Sequence, residues 1–448
     1  MVGSINEGDL TSSFWDQETT GQGSSCGLVN AGTCVAIGLS TAQALAQASY
    51  AGWDFFDPGA GSDSGDWFMI DGSTRPFLRS EWSKTIRNAH QLQLMAMDLT
   101  ADYTLASDID FGTTFTDDSR SDMWATSGSA GAGFAPIGGN ANTASRFMGS
   151  FDGTGHVISD ITINRPSTPL IGLFGVLGNG GGGFVHNVGL ENATVVGSTS
   201  TGGLVGTSVA GTVQNVYVTG SVKGYGSVGG LVGFNNGGAV QNSYATASVD
   251  GSSSDIGGLV GTNNGKIDTS YATGSVKGSQ NVGGLAGFIN NGIVTASYAT
   301  GNVTGGNNTG GLAGYVSLGT VKESHALGQV VGNSSVGGLI GDISGNGTVE
   351  QSYATGDVSG AYKVGGLVGN MFPGVVRQSY AMGSVSGSHT EVGGLVGRSD
   401  QRSLIEDAYA SGSVNGGSDA GGLVGRNVSS IRRTDATGKV QGSSFVGG

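Results

Sequence analysis

The chain has 448 residues, of which 88 are glycine and only 6 are proline, and its formal net charge is −14 at neutral pH. Glycine far above its usual share of about 7%, without the three-residue spacing of collagen, leaves low-complexity disorder or a repeat architecture. The acidic balance and the lack of any apolar run near the roughly 20 residues of a membrane span argue against nucleic acid partners and against direct membrane insertion.

Residues 1–82 are rich in aromatic side chains, in stretches such as "SFWDQETTGQ", "YAGWDF" and "RPFLR". This composition predicts a small compact unit. The two cysteines of the chain, Cys26 and Cys34, lie here. They could form a small-loop disulfide in an oxidising compartment or remain two thiols, and no further Cys or His nearby completes a metal site.

Residues 83–170 contain the one convincing amphipathic helix candidate, "TIRNAHQLQLMAMDL", at residues 85–99. The later stretches "GFAPIGG" and "FMGSFDGTGHVISDITI" resemble strands that begin a solenoid. We therefore expect the helix to cap the N-terminal edge of irregular first coils.

An acidic stretch in the same segment brings five carboxylates close together in sequence. They are Asp108, Asp110, Asp117, Asp118 and Asp122. Such residues could bind Ca²⁺ or serve glycoside hydrolysis, but the spacing does not match an EF-hand loop. We favour a solvated acidic loop and expect no cofactor.

Residues 171–448 repeat one motif, "GGLVG…SYATGSV". Its leucine recurs every 26 to 31 residues. The positions are Leu173, Leu204, Leu231, Leu259, Leu285, Leu312, Leu339, Leu367, Leu395 and Leu423. A further copy begins at Gly447, so we expect the repeats to continue in the full-length protein.

Short β-prone runs between Asn-Gly turns, at a period of 26–28 residues, predict an all-β fold with one solenoid coil per repeat and about ten coils. A helical repeat would show a 3.6-residue period and would not tolerate so much glycine. Each coil buries its apolar face only by stacking on its neighbours.

The imperfect copies indicate which side of the second strand faces solvent. One parity is always small or apolar, as in Ser243, Ala245 and Ala247, whereas the other accepts His325 and Asp357. Charges are unfavourable in a core, so this second row must be outside. It contains a column of tyrosines, namely Tyr217, Tyr244, Tyr271, Tyr298, Tyr353, Tyr380 and Tyr409.

Three roles are open for this outer face. The tyrosine column could stabilise the sheet through contacts between neighbouring side chains. It could also form an aromatic strip that binds a cell-surface glycan or protein. A parallel threonine column could order water as an ice-binding face would, although Leu327, Met382 and Ser411 interrupt it.

The repeated "GGLVG…SYATGSV" resembles the GLUG-motif repeats of large exported bacterial proteins, including filamentous-haemagglutinin-like adhesins. The stretches "FWDQETTGQ…GLSTAQ" and "IRNAHQLQLM…YTLASDIDF" resemble units that close and open repeat blocks there. The resemblance implies the junction of two repeat blocks in an exported adhesin, a parallel, right-handed β-helix, and a location outside the cell or on its surface. The residues themselves divide the chain into 1–82, 83–170 and 171–448.

No enzyme motif supports catalysis. The chain lacks "HExxH" and the P-loop pattern, and its five histidines occupy unrelated repeat positions. We therefore expect a structural or adhesive segment of a surface protein, not an enzyme. The alternative is a carbohydrate-binding or carbohydrate-cleaving β-helix, and ice binding is a third possibility.

Overall fold

The computed structural model describes residues 1–59, 64–112, 123–124, 131–139 and 145–448. Nearly all regular structure in these ranges is β-strand, organised as a 40-stranded sheet, a 10-stranded sheet and three two-stranded sheets. All pairings between coils of the two large sheets are parallel and join equivalent residues of successive repeats, as in Tyr244 with Tyr271. The predicted parallel β-solenoid is therefore confirmed.

Five ladders run along the solenoid, and they are numbered here in the order in which a coil visits them. Ladder 1 carries the residues that follow each motif leucine. Its strands are Phe174–Leu177, Val205–Val209, Val232–Asn236, Val260–Asn263, Ala286–Asn290, Ala313–Ser317, Ile340–Glu350, Val368–Arg377, Val396–Ser399 and Val424–Asn427.

Ladder 2 starts further upstream than the repeats do. Its strands are Thr85–Ile86, Tyr103–Leu105, Ser150–Asp152, Phe184–His186, Thr212–Gln214, Ala239–Gln241, Lys266–Asp268, Ile293–Thr295 and Thr320–Lys322, then the later parts of Ile340–Glu350 and Val368–Arg377, then Leu404–Ala410 and Ser430–Ala436.

Ladder 3 carries the tyrosine column. Its strands are Ile109–Asp110, Val157–Ser159, Gly189–Val196, Tyr217–Gly224, Tyr244–Ala245, Tyr271–Ala272, Tyr298–Ala299, His325–Ala326, Tyr353–Ala354 and Tyr380–Ala381, and it continues in the last two strands of ladder 2.

Ladders 4 and 5 complete each coil. Ladder 4 consists of Thr162–Asn164, the ends of Gly189–Val196 and Tyr217–Gly224, Ser248–Gly251, Val276–Lys277, Val303–Thr304, Val330–Val331, Val358–Gly360, Val385–Gly387, Val414–Asn415 and Val440–Gln441. Ladder 5 is the 10-stranded sheet, with Thr199–Gly202, Gly226–Gly229, Ser254–Gly257, Gln280–Gly283, Asn307–Gly310, Ser334–Gly337, Tyr362–Gly365, Thr390–Gly393, Ser418–Gly421 and Ser444–Gly447.

The expectation of about ten coils is too low. Within the described residues, ladder 2 has thirteen successive strands, because coils beginning at Thr85, Tyr103 and Ser150 precede the ten repeat copies. These first coils lack the glycine-leucine motif, so counting motif leucines missed them. Their pairing partners are set by the same parallel hydrogen bonding as in the repeats.

Glycine recurs because neighbouring coils approach each other backbone to backbone. A Cβ at Gly338 would clash with the carbonyl oxygen of Gly366 in the next coil. A Cβ at Gly328 would clash with the carbonyl oxygen of Gly301 in the preceding coil. Only glycine fits such positions, which explains why the motif repeats it at fixed places.

The interior is a continuous stack of small apolar side chains. The motif leucines from Leu173 to Leu395 are fully buried, as are inner-row residues such as Ala245 and Ala272. One row of buried serines lies among them, and its hydroxyls form hydrogen bonds with backbone groups of the same coil and of the neighbouring coil. The hydroxyl of Ser297 accepts the backbone N–H of Ser270 at 3.1 Å and donates to the carbonyl of Thr295 at 2.7 Å.

The predicted helix is present but shorter than expected. The α-helix spans Ala89–Leu94, and a 3₁₀ turn follows at Met95–Met97. Its start is fixed by Asn88, whose side chain accepts the N–H of Gln91, while Ile86 pairs in ladder 2. The helix buries Leu92 and Leu94 in the same apolar core as the first coils.

Residues 1–82 form an irregular unit. Two parallel strand pairs open it, Val2–Ile5 with Cys26–Val29 and Asp9–Asp16 with Thr33–Leu39, and Trp67–Phe68 pairs with Phe77–Leu78 in antiparallel fashion. The remaining elements are short helices, namely Gln17–Thr20, Thr41–Ala44, Gln47–Ser49 and Arg79–Glu81. Phe68 and Phe77 join the core of the first coils, so the unit packs directly on the solenoid.

Candidate functional site: the aromatic column

The predicted tyrosines form one unbroken column on ladder 3, together with one histidine. Eight rings follow one another, with centroids 4.7–5.1 Å apart and ring planes within 6° of parallel. They are Tyr217, Tyr244, Tyr271, Tyr298, His325, Tyr353, Tyr380 and Tyr409. At about 4.8 Å per coil the column is roughly 34 Å long.

The rings are stacked face to face, which decides what the column presents to solvent. Each inner ring has another ring stacked on each of its two faces, so a partner cannot stack on those faces without displacing a neighbour. The residue pattern predicted that the tyrosines share the outer row, but it carried no information about the orientation of their rings. A flat partner that stacks on aromatic faces finds no free face along the middle of this column.

Both ends of the column are defined by particular residues. At the first ring, the hydroxyl of Tyr217 donates to a carboxylate oxygen of Glu191 at 2.7 Å. Burial and this hydrogen bond raise the pKa of Tyr217 to about 12. The ring occupies the space that a side chain at Gly189 would need. At the far end Asp435 replaces the tyrosine, facing Tyr409.

His325 occupies the tyrosine position in one coil, in the row that the imperfect copies indicated. Its ring centroid lies 5.0 Å from that of Tyr298 and 4.7 Å from that of Tyr353. Burial lowers the pKa of His325, which favours the neutral ring in the stack. The column thus keeps its continuity through the one coil that lacks a tyrosine.

A charged column of alternating sign runs beside the rings in the second half of the rod. Register pairs each residue with one of opposite charge in the next coil. The members are Lys322, Glu350, Arg377, Glu406 and Arg432. Opposite charges on adjacent strands favour the observed register, and a shift by one coil would bring like charges together.

The acidic candidates do not converge on one site in the described part of the chain. Asp108 accepts the N–H of Val157 at 2.9 Å and lies 2.9 Å from His156 Nδ1, and these contacts lower the pKa of Asp108. Asp110 accepts the N–H of Gly112. Asp117, Asp118 and Asp122 lie outside the described residues, and no group of three or more metal-ligating side chains occurs within them.

The two cysteines are joined. Cys26 and Cys34 form a disulfide that closes the short connection between two strands of the N-terminal unit. The Ser25 hydroxyl lies 3.0 Å from the Cys34 sulfur. The bond is therefore a local staple of the irregular unit, far in sequence from the repeats.

Comparison with known proteins identifies the repeat. The family model for the GLUG motif matches residues 224–250 and 388–415, so this chain carries GLUG-motif repeats. Halomucin of Haloquadratum walsbyi is 41% identical over 122 residues, which are 27% of this chain and 1% of Halomucin. A Gly-rich membrane protein of Evansella cellulosilytica is 40% identical over 90 residues, 20% of this chain and 10% of that protein.

A solved structure also resembles this chain. The crystal structure of an immunoglobulin A1 protease candidate from Bacteroides ovatus gives a TM-score of 0.43 at 25% identity, covering 56% of this chain and 76% of that one. The GLUG repeats and the solenoid together fit a structural segment of a surface protein. In the described ranges, none of the helices has the length and apolar character that a membrane crossing requires.

Proposed function

We propose that this chain, a GLUG-motif β-solenoid, is a stiff spacer in a protein displayed outside the cell, and that it is not an enzyme. The observation that carries the proposal is the unbroken registry of side-chain columns from coil to coil, of which the eight-ring column is the clearest. A coil bonded to both neighbours opens only when contacts on two sides break, so the rod resists bending and local unfolding.

The dimensions suit a spacer. The thirteen strands of ladder 2, at about 4.8 Å per coil, alone span roughly 60 Å, and each added repeat lengthens the rod by one coil spacing. The disulfide between Cys26 and Cys34 supports a location in an oxidising compartment, since such bonds are rare in the cytosol. Both features are those expected of a segment that holds other parts of a protein away from a surface.

The structure gives less support than the sequence did to an adhesive role for this column. A glycan that stacks on tyrosine would need ring faces, and the faces of the inner rings are covered by their neighbours. The column therefore serves stability first. Any adhesive contact along ladder 3 must use ring edges, phenol hydroxyls and the neighbouring threonines.

Carbohydrate cleavage and ice binding have less support. Cleavage needs two carboxylates across a sugar, and Asp108 and Asp110 are instead held by neighbouring backbone and side-chain groups. Ice binding needs an unbroken threonine face. Leu327 and Met382 interrupt that column with side chains that are 42% and 51% exposed.

The spacer proposal is tested by removing whole coils. Deleting residues 258–337 removes three repeats in phase and rejoins Gly257 to Gly338. We expect small-angle X-ray scattering to show the same rod cross-section and a maximum dimension shorter by roughly 14 Å. A deletion that leaves the maximum dimension unchanged, or that yields a flexible chain, would contradict the proposal.

A further inference from the structure

A cleft lies where the N-terminal unit meets the start of the solenoid. One cavity of about 330 Å³ is lined by Phe56, Pro58, Arg79, Trp82, Met97 and Asp98. A second depression of about 620 Å³ shares Arg79 and Trp82 with it and extends to Asp66 and Trp67. Together they have the size of small-molecule sites.

The aromatic walls of the cleft are fixed by contacts behind them. Trp67 stacks on Trp53 with ring centroids 4.0 Å apart, and the indole N–H of Trp53 donates to the carbonyl of Ser12. The indole N–H of Trp82 donates to the hydroxyl of Tyr103 at 3.2 Å. Rings held in this way lose little conformational freedom when a ligand binds, so the site is pre-organised.

Polar groups border these rings. The Arg79 guanidinium lies 4.3 Å above the Phe56 ring, between the two depressions. Asp98 lines the first depression, and Asp66 lines the second. Aromatic faces with a few hydrogen-bonding groups at their margins match a sugar ring, which has an apolar C–H face and a rim of hydroxyls.

The charge of the residues around the cleft determines whether neutral or anionic saccharides are favoured. Residues 1–74 contain nine acidic residues and no Lys or Arg. Residues 75–99 add four Lys or Arg and two acidic residues, so the surroundings stay acidic, and the charged residues that line the cleft itself are Arg79, Asp66 and Asp98. An anionic sugar such as a uronic acid would be repelled by this field, whereas a neutral sugar would not.

We propose that this cleft binds a neutral oligosaccharide of about two to three units, with sugar rings against Trp82 and Trp67 and hydroxyls on Arg79, Asp98 and Asp66. The site lies outside the GLUG repeats and is independent of the spacer role. It gives the chain a contact surface where the packing of irregular elements leaves room for a ligand.

The test is titration of the full chain with three probes, maltotriose, the trimer of N-acetylglucosamine and the trimer of galacturonic acid, followed by tryptophan fluorescence and saturation-transfer NMR. We expect at least one neutral trimer to bind with a dissociation constant of 10 mM or lower and the galacturonic trimer to bind at least tenfold more weakly. If neither neutral trimer binds at 10 mM, or the acidic trimer binds best, the proposal is wrong.

Two variants locate the binding. Trp82→Ala removes a wall, and Pro58→Trp fills the cavity from its exposed rim while leaving the packed residues in place. Each should raise the dissociation constant at least tenfold. Tyr225→Ala, which removes an exposed ring on the rod, is the matched control and should leave binding unchanged. Saccharide binding that persists in Pro58→Trp would place the ligand elsewhere and overturn the assignment.

Discussion

The repeat rod and the N-terminal unit bury apolar surface in opposite ways. The rod uses Val, Leu, Ala and Ser in coils whose backbones touch, as at Gly338 and Gly366. The unit uses large rings such as Trp53 and Trp67 in irregular packing. Close backbone stacking gives stiffness and leaves little room for a ligand, whereas packed rings on short elements leave clefts.

The largest effect is expected from a side chain placed between coils. Gly338→Val forces a Cβ into the carbonyl oxygen of Gly366, and overpacking of this kind costs about 3 kcal/mol or more. Chemical denaturation followed by circular dichroism should show the loss. The control is Gly52→Val in the N-terminal unit, which has open space and is strained only by its positive φ of 87°. Equal losses of unfolding free energy in the two variants would contradict the proposed difference between the rod and the N-terminal unit.

The disulfide should stabilise only the irregular unit. In the chain-entropy account, a loop with a sequence separation of 8 residues contributes about 2–3 kcal/mol. Cys26→Ser with Cys34→Ser should therefore increase hydrogen exchange in residues 1–59 and leave exchange in residues 200–420 unchanged. Faster exchange throughout the rod would show that the two regions unfold together.

The buried serine hydroxyls should contribute more to the stability of the rod than their small size indicates. Ser297→Ala leaves the N–H of Ser270 buried without its acceptor, which costs about 1–3 kcal/mol. Ser275→Ala, at an exposed position of the same rod, is the control. Similar midpoints of denaturation for the two variants would mean that another group satisfies this N–H.

A smaller effect depends on pH. Burial raises the pKa of Asp342 to about 6, against the opposing influence of the hydrogen bond from Asn370 and of nearby Lys363. The unfolded carboxyl has a pKa of about 4, so the folded state retains the proton longer and the free energy of unfolding falls as pH rises from about 4 to 6.

Asp342→Asn should remove that slope and stabilise the rod by about 1–2 kcal/mol at pH 7 but not at pH 4. Thermal denaturation from pH 4 to 8 measures it, with Glu7→Gln in the exposed part of the N-terminal unit as the control. A variant whose pH profile parallels that of the parent chain would refute the assignment of the slope to Asp342.

The sequence predicted the rod far better than it predicted the unit. Repetition shows each position in ten contexts, so residues such as His325 and Asp357 were enough to separate the outer row from the inner one. The coils at Thr85 and Tyr103 occur once each, and no comparison of copies could reveal them. The predicted helix length was wrong for a related reason. Ile86 pairs with a neighbouring coil in ladder 2, so the helix cannot begin there.

The candidate sites show the same limit. The identity of the column residues followed from spacing, but the stacking of their rings depends on side-chain torsions that a residue pattern does not specify. The cleft is assembled from Phe56, Arg79 and Met97, which are far apart in sequence and belong to different stretches of the chain. Only the folded arrangement brings them together.

We propose that the aromatic column holds coils together and does not serve as a glycan-stacking surface. The most direct measurement compares the parent chain with the variant Tyr244→Ser, Tyr271→Ser, Tyr298→Ser, by thermal denaturation and by binding to a glycan panel and to intact cells. Loss of four stacked contacts, at about 0.5–1.5 kcal/mol each, should lower the melting temperature clearly while glycan binding stays the same. An unchanged melting temperature together with lost binding would contradict the claim.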